Sequence, residues 1–255
     1  MVLVFIEIAD GNVKKSSLEA TAYGAEIAKK TGVECVAVAF GNTGKEQLEA
    51  LGNFGAKKVL HVAQESLTAQ GLASATFEAI NKVGAKVFVA SKSSTVDGFV
   101  SRLAIKWKGG IVSNITDLPE INGDTFKLKR SIYTGKAFAW VELKSENKLL
   151  LIKKNTLSPV PGSDKALVEA FTPASNGAGN AVKVKETIKA TGDILLTEAE
   201  IVVSGGRGLK GPENWYLIED LAKALHAATG CSKPVADVGW RPHHEHVGQT
   251  GVKVS

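Results

Sequence analysis

The residues best suited to chemistry lie in two stretches of the C-terminal third. The first is IVVSGGRGLKGPENWYLIEDLAKAL, Ile201 to Leu225. Residues 201–203 are β-branched and apolar, as a buried strand requires. Ser204-Gly205-Gly206 then frees the backbone to turn sharply and approach a ligand closely. Arg207 follows, and Gly208 keeps the bend open. A helix is expected from about Pro212, with Glu213 complementing its N-terminal dipole. Leu217, Ile218, Leu221, Leu225 and Ala228 would form its apolar face. Backbone N–H groups, a helix N-terminus and a guanidinium make an anion site, and a pyrophosphate is its commonest occupant. A tight turn with a surface arginine fits the same residues, and both readings stand.

The second stretch is TGCSKPVADVGWRPHHEHVGQTG, Thr229 to Gly251. Gly230 is expected to end the preceding helix, and Ser232 and Lys233 to open a strand, PVADVG. That places a hydroxyl and a cation at the end of the sheet where ligands collect in open α/β folds. Val247-Gly248-Gln249-Thr250 reads as a further bend, whose amide and hydroxyl suit a polar ring edge or a polyol chain. A purely structural loop fits these residues equally well. His243, His244 and His246 have a spacing that does not set three imidazoles on one face, and only Glu245 lies beside them. A solvated loop is expected there rather than a metal centre. No Ser-His-Asp order, G-x-S-x-G elbow or cysteine nucleophile pattern occurs.

The elements that must carry these stretches follow from hydrophobic periodicity. Apolar runs at residues 2–8, 33–40, 57–63 and 86–91 alternate with helical patterns at 16–32, 44–55, 72–84 and 95–110. A serine cap opens the first of these helices and Gly32 stops it. Nearly continuous apolar strands alternating with helices imply a parallel sheet covered on both faces. Residues 125–143 and 148–155 show period-two alternation without intervening helices and read as an antiparallel extension. The expected organisation is an N-terminal doubly wound α/β domain over 1–157, a linker over 158–182 and a second, Rossmann-like domain over 183–255 that is incomplete. Within the Pro- and Gly-rich linker, ALVEAF keeps the pattern of a strand. The stretch after the first strand, EIADGNVKK, has one glycine and no phosphate loop.

Composition excludes several classes. The 255 residues are 44% hydrophobic, enough for a core. The net charge is +5, with scattered lysines and 6% aromatics, so no nucleic-acid platform is expected. Two lone cysteines, Cys35 and Cys231, fit a reducing compartment. No run approaches the roughly 18 apolar residues of a membrane span, and no targeting segment is seen, so a cytoplasmic protein without membrane insertion is expected.

Together, SGGRGLKGPENW, LAKALHAATGCSKPVADVGWRPHHEHVGQTG and the opening VLVFIE resemble the alpha subunit of electron transfer flavoprotein, over the whole chain. The resemblance implies an electron carrier, not an enzyme, that holds FAD together with a beta subunit in a heterodimer. It also implies redox partners: acyl-CoA-type dehydrogenases as donors, as in fatty acid beta-oxidation, and a quinone oxidoreductase or other acceptor. Carried over, Gly206, Arg207 and Gly208 resemble the family's flavin-binding bend and Ser232 its flavin-contacting serine. Val247, Gly248, Gln249 and Thr250 resemble the segment beside the ring and ribityl chain. Lys233 stands where the family usually has arginine, keeping the charge but losing the planar fork. Family members continue beyond GVKVS with a Ser-Gly-Ala-Ile-Gln-His segment and adenosine contacts. Without them, weak or no FAD binding, exposed strand edges and an open second core are expected. A flavin-free docking subunit and a nicotinamide-dependent dehydrogenase are the alternatives, the latter without a dinucleotide fingerprint or an acid–base residue to support it.

Overall fold

The computed structural model describes residues 1–63, 67–174, 196, 199, 201–248, 250–252 and 254. The chain divides into two compact units, Met1–Val184 and Lys185–Ser255.

The first unit is built on β1 (Val2–Ala9), β3 (Cys35–Phe40), β4 (Lys58–Val62), β5 (Val87–Ser91), β6 (Gly110–Ile115), β10 (Lys148–Ile152) and β11 (Leu167–Ala170). Their order across the sheet is β11-β4-β3-β1-β5-β10-β6, all parallel. Beyond β6 the sheet turns antiparallel through β8 (Thr125–Ile132), which is flanked by β7 (Glu120–Asn122) and β9 (Ala137–Leu143). A short β2 (Asn12–Val13) folds back on β1. The segment after β1 is therefore a tight hairpin rather than a phosphate loop.

Both faces of the sheet are covered, and β1 shows the pleat at work. Val2, Val4 and Ile6 enter one core with α1 (Lys15–Thr31), while Leu3 and Phe5 enter the other with α3 (Ala69–Val83) and α4 (Ser94–Trp107). Helix α1 lies so close to β1 that a Cβ on Gly24 would sit 2.5 Å from Val4 Cγ2. Thr68 and Ser93 cap α3 and α4, accepting from the N–H groups of Gly71 and Val96.

Three sequence expectations need correction in this unit. Helix α1 has Lys14 at its N-cap and no side-chain cap, because it begins at Lys15 and so takes Ser16, the serine at the head of the expected helix, inside its first turn. The helix expected over 44–55 is α2 (Lys45–Glu49) followed by a 3-10 turn, Ala50–Phe54. Strand β10 is an interior parallel strand between β5 and β6, not part of an antiparallel extension. Its Leu149-Leu150-Leu151-Ile152 run is buried throughout, the signature of a strand covered on both faces. The strand pattern of ALVEAF, within the linker range, forms β11, which pairs with β4, and Ala166 just before it donates to the Glu49 carbonyl. Linker residues 175–182 lie outside the described residues.

In the second unit, β12 (Val202–Gly205) and β13 (Ala228–Cys231) form a parallel pair. The expected helix from Pro212 is a 3-10 turn, Pro212–Asn214, followed by α5 (Tyr216–Leu225). It ends at His226, in the left-handed region with φ 49°, so Ala228 and Gly230 belong to β13 rather than to the helix and its stop. Trp215, Cys231, Val235 and Ala236 form a small buried cluster with Leu209, Ile218 and Trp240. Of the expected apolar face, Ile218 packs there while Leu217, Leu221 and Leu225 stand 51%, 50% and 45% exposed.

Candidate functional site

Three chain segments converge at the carboxyl ends of the second unit's strands. Gly205 pairs with Cys231, and Cys231 bridges in parallel to His246. The Ser232 N–H donates to the Gly205 carbonyl at 3.0 Å, and the Val247 N–H donates to the Cys231 carbonyl at 2.9 Å. Gly206, Ser232 and Val247 are thereby set abreast, although they lie far apart in sequence. A Cβ on Gly206 would be 3.8 Å from Ser232 Oγ, so bend and serine are in van der Waals range.

The glycine bend is held differently from the sequence expectation. Gly206 is extended, with φ −123°, and the turn is made by a 3-10 segment, Arg207–Leu209, closing at Lys210 in the left-handed region. Gly205 is the position where a side chain cannot fit, since a Cβ there would lie 2.6 Å from the Trp215 ring. Helix α5 starts at Tyr216, beyond a second 3-10 turn, so the helix N-terminus that the anion reading set at about Pro212 stands further along the chain from the bend. What remains for an anion is charge. Arg207 and Lys233 are exposed and form no ion pair among the described residues.

Ser232 and Lys233 do not open a strand. Ser232 is the N-cap of a short helix, α6 (Lys233–Asp237), where Pro234 fits the first turn. The Ser232 hydroxyl makes no capping bond, which leaves it available to a ligand.

Val247, Gly248 and the chain at Gly251 and Val252 fold back on His246. The Val252 N–H donates to the His246 carbonyl at 2.7 Å, and the Gly248 N–H donates to the Val252 carbonyl at 3.2 Å. A Cβ on Gly251 would overlap the His246 carbonyl oxygen and lie 2.7 Å from its Nδ1. Gly248 takes φ +144°, a glycine conformation. Gly248 and Thr250 are exposed, Val247 is half-buried and Gln249 lies outside the described residues. His243 and His244 are exposed while His246 is buried, and no three metal-ligating side chains gather among the described residues. Burial pushes the Cys231 thiol up from its ordinary value, keeping it protonated.

Sequence reasoning missed Trp215 and Arg241. Trp215 reads as an ordinary helix residue, yet it is 3% exposed and packs under Gly205. Arg241 looked like part of a solvated loop. Its spacing from Glu245 was the available signal, and the two form a bidentate pair.

Two α/β units, the second placing exposed cations, an uncapped serine and a tight glycine turn at the carboxyl ends of parallel strands, have the arrangement in which open α/β folds collect ligands. Residues 2–185 match the electron transfer flavoprotein domain, and residues 195–255 match the electron transfer flavoprotein FAD-binding domain. The electron transfer flavoprotein subunit alpha of Syntrophomonas wolfei is 34% identical over 261 residues, covering 99% of this chain and 79% of the relative. Those of Bacillus subtilis and Paracoccus denitrificans are 28% and 30% identical, covering this whole chain and 78% and 80% of the relatives. The chain belongs to the electron transfer flavoprotein alpha subunit family. Among the described residues, no helix is long and apolar enough to cross a membrane.

The donor set suits FAD. Arg207 and Lys233 are exposed cations that would suit its negative charge, and the uncapped Ser232 hydroxyl and the exposed Thr250 would suit its polar edges.

Proposed function

We propose that, against the weak or absent binding expected from the sequence, the chain holds FAD in its second unit, together with a beta subunit, and works as an electron carrier rather than as an enzyme. The observation that carries this reading is the alignment of Gly206, Ser232 and Val247 on one edge, stitched by two backbone hydrogen bonds. Bound there, the flavin supplies a centre that accepts and returns electrons. The residues bind and orient it. Arg207 and Lys233 attract its negative charge. Ser232 and Thr250 hydrogen-bond its polar atoms, and the Val247–Thr250 bend with Gly208 shapes the wall. Donors are acyl-CoA-type dehydrogenases and the acceptor is a quinone oxidoreductase or an equivalent, all within the cytoplasm. The test is the visible absorption of this chain co-expressed with its beta partner and desalted. Flavin bands at one flavin per heterodimer support the reading, and a colourless complex that stays colourless with added FAD rejects it.

A further inference from the structure

One side chain ties the walls of the flavin edge together. Arg241 donates from Nε to Glu245 Oε2 at 2.8 Å and from Nη2 to Glu245 Oε1 at 2.7 Å. Its Nη1 donates to Glu219 Oε1 on α5 at 3.1 Å. Its Cζ lies 5.5 Å from the Trp215 ring centroid. A planar fork can meet a carboxylate bidentately and stack on an indole at the same time, and a lysine ammonium cannot.

Each contact leads to a part of the candidate site. Trp215 is buried and presses on Gly205, immediately before the bend at Gly206 and Arg207. The indole Nε1 is buried and has no hydrogen-bond partner among the described residues, where packing and the stacked guanidinium hold the ring. Glu245 precedes His246, around which the Val247–Thr250 bend is folded, and the Val247 N–H anchors that bend to Cys231. The Glu245 side chain is 13% exposed and that of Arg241 25%, so the pair is shielded enough to matter.

We propose that Arg241 is a positioning residue for the flavin. It fixes the spacing between the glycine bend, through Trp215, and the Val247–Thr250 segment, through Glu245. This inference rests on the reading of the second unit as an FAD site, but its structural half stands without the flavin.

The experiment compares the heterodimer carrying wild-type chain, Arg241→Lys, Arg241→Gln and Glu245→Gln. FAD titration and the flavin midpoint potential are measured on the loaded complex, and amide hydrogen exchange on the flavin-free complex. Loss of a charge-assisted pair is expected to weaken FAD binding by about tenfold or more in Arg241→Gln, with the potential displaced. Arg241→Lys is expected to recover only part of both. In exchange, the Val247 and Ser232 amides are expected to open in Arg241→Gln while the β1 amides are unchanged. Wild-type affinity, potential and exchange in Arg241→Gln overturn the proposal. If Arg241→Gln unfolds the whole second unit, Glu245→Gln decides, since it keeps the stacked guanidinium. Faster exchange at Val247 then supports the proposal, and unchanged exchange overturns it. If the wild-type complex binds no FAD, the flavin reading fails, and the exchange comparison still decides whether Arg241 braces the two walls.

Discussion

The Val247 N–H donates to the Cys231 carbonyl at 2.9 Å, joining a glycine-rich turn to the end of a buried strand. That bond sets the last wall of the candidate site beside Ser232, whose own N–H reaches Gly205. The site is thus a backbone construction, with its charged and hydroxyl-bearing side chains free to face a ligand.

Gly251→Ala is expected to damage this construction. The added methyl would overlap the His246 carbonyl oxygen, which is itself bonded by Val252. Overpacking of this kind costs about 1–3 kcal/mol. Gly208→Ala meets nothing within 4 Å and should leave stability within about 0.5 kcal/mol of wild type. Thermal unfolding and FAD titration of both variants check the contrast, and equal behaviour would show that the turn does not need its glycine.

Arg207→Gln and Lys233→Gln should each weaken FAD binding while leaving folding unchanged, because both side chains are exposed. Loss of a charge-assisted contact corresponds to about 1.5–3 kcal/mol. The wild-type affinity should also fall with added salt. Lys233→Arg restores a planar fork and should change the flavin midpoint potential relative to wild type. Potentiometric titration measures it.

Glu7 ties β1 to the start of α4 and should make the first unit acid-sensitive. Burial pushes its carboxyl up, but hydrogen bonds from Lys14, Ser93 and Thr95 outweigh this and hold it below its ordinary 4.5. A lowered native value means that the stabilisation is present above about pH 4.5 and is lost as the pH falls further. Glu7→Gln should therefore destabilise the unit at pH 7 by about 1 kcal/mol and by less near pH 3. Urea unfolding at both values tests it, and an equal loss at both would remove the carboxylate's charge from the explanation.

Gly52→Ala should loosen β11, because the new methyl would overlap the backbone of Lys165 and Ala166 just before that strand. Glu169 bridges Lys58 and Lys82, but all three are substantially exposed and screened by water, so Glu169→Gln should cost little. Hydrogen exchange at residues 167–170 distinguishes the two. A larger effect from Glu169→Gln would mean that charge, not close packing, holds the strand.

Much of the first unit was legible in the sequence because its strands are buried on both faces. Val36 to Ala39 or Phe88 to Ala90 can be little else when helical patterns flank them. β10 was misread because no helical pattern separates it from the antiparallel strands before it, only the turn-like residues 145–147. Lys148 is in fact buried, with its Nζ donating to the Ser145 carbonyl at 2.6 Å. In the second unit, the strand, the bend and the Val247–Thr250 turn were readable from glycine and β-branched residues. Ser232 was misplaced because Pro234 suits the first turn of a helix, a signal outweighed by the apolar valines after it. Gly205 was read as a flexible hinge, whereas its lack of a side chain makes room for Trp215. Long-range contacts of this kind, like the Arg241 fork, leave no periodic trace in the chain.

The first measurement to make is the visible absorption spectrum of the chain co-expressed with its beta subunit and desalted. Flavin bands at one flavin per heterodimer, diminished in Arg207→Gln, are the expected result. A complex that forms, stays colourless and takes up no added FAD would contradict the assignment of the Gly206–Ser232–Val247 edge as a flavin site.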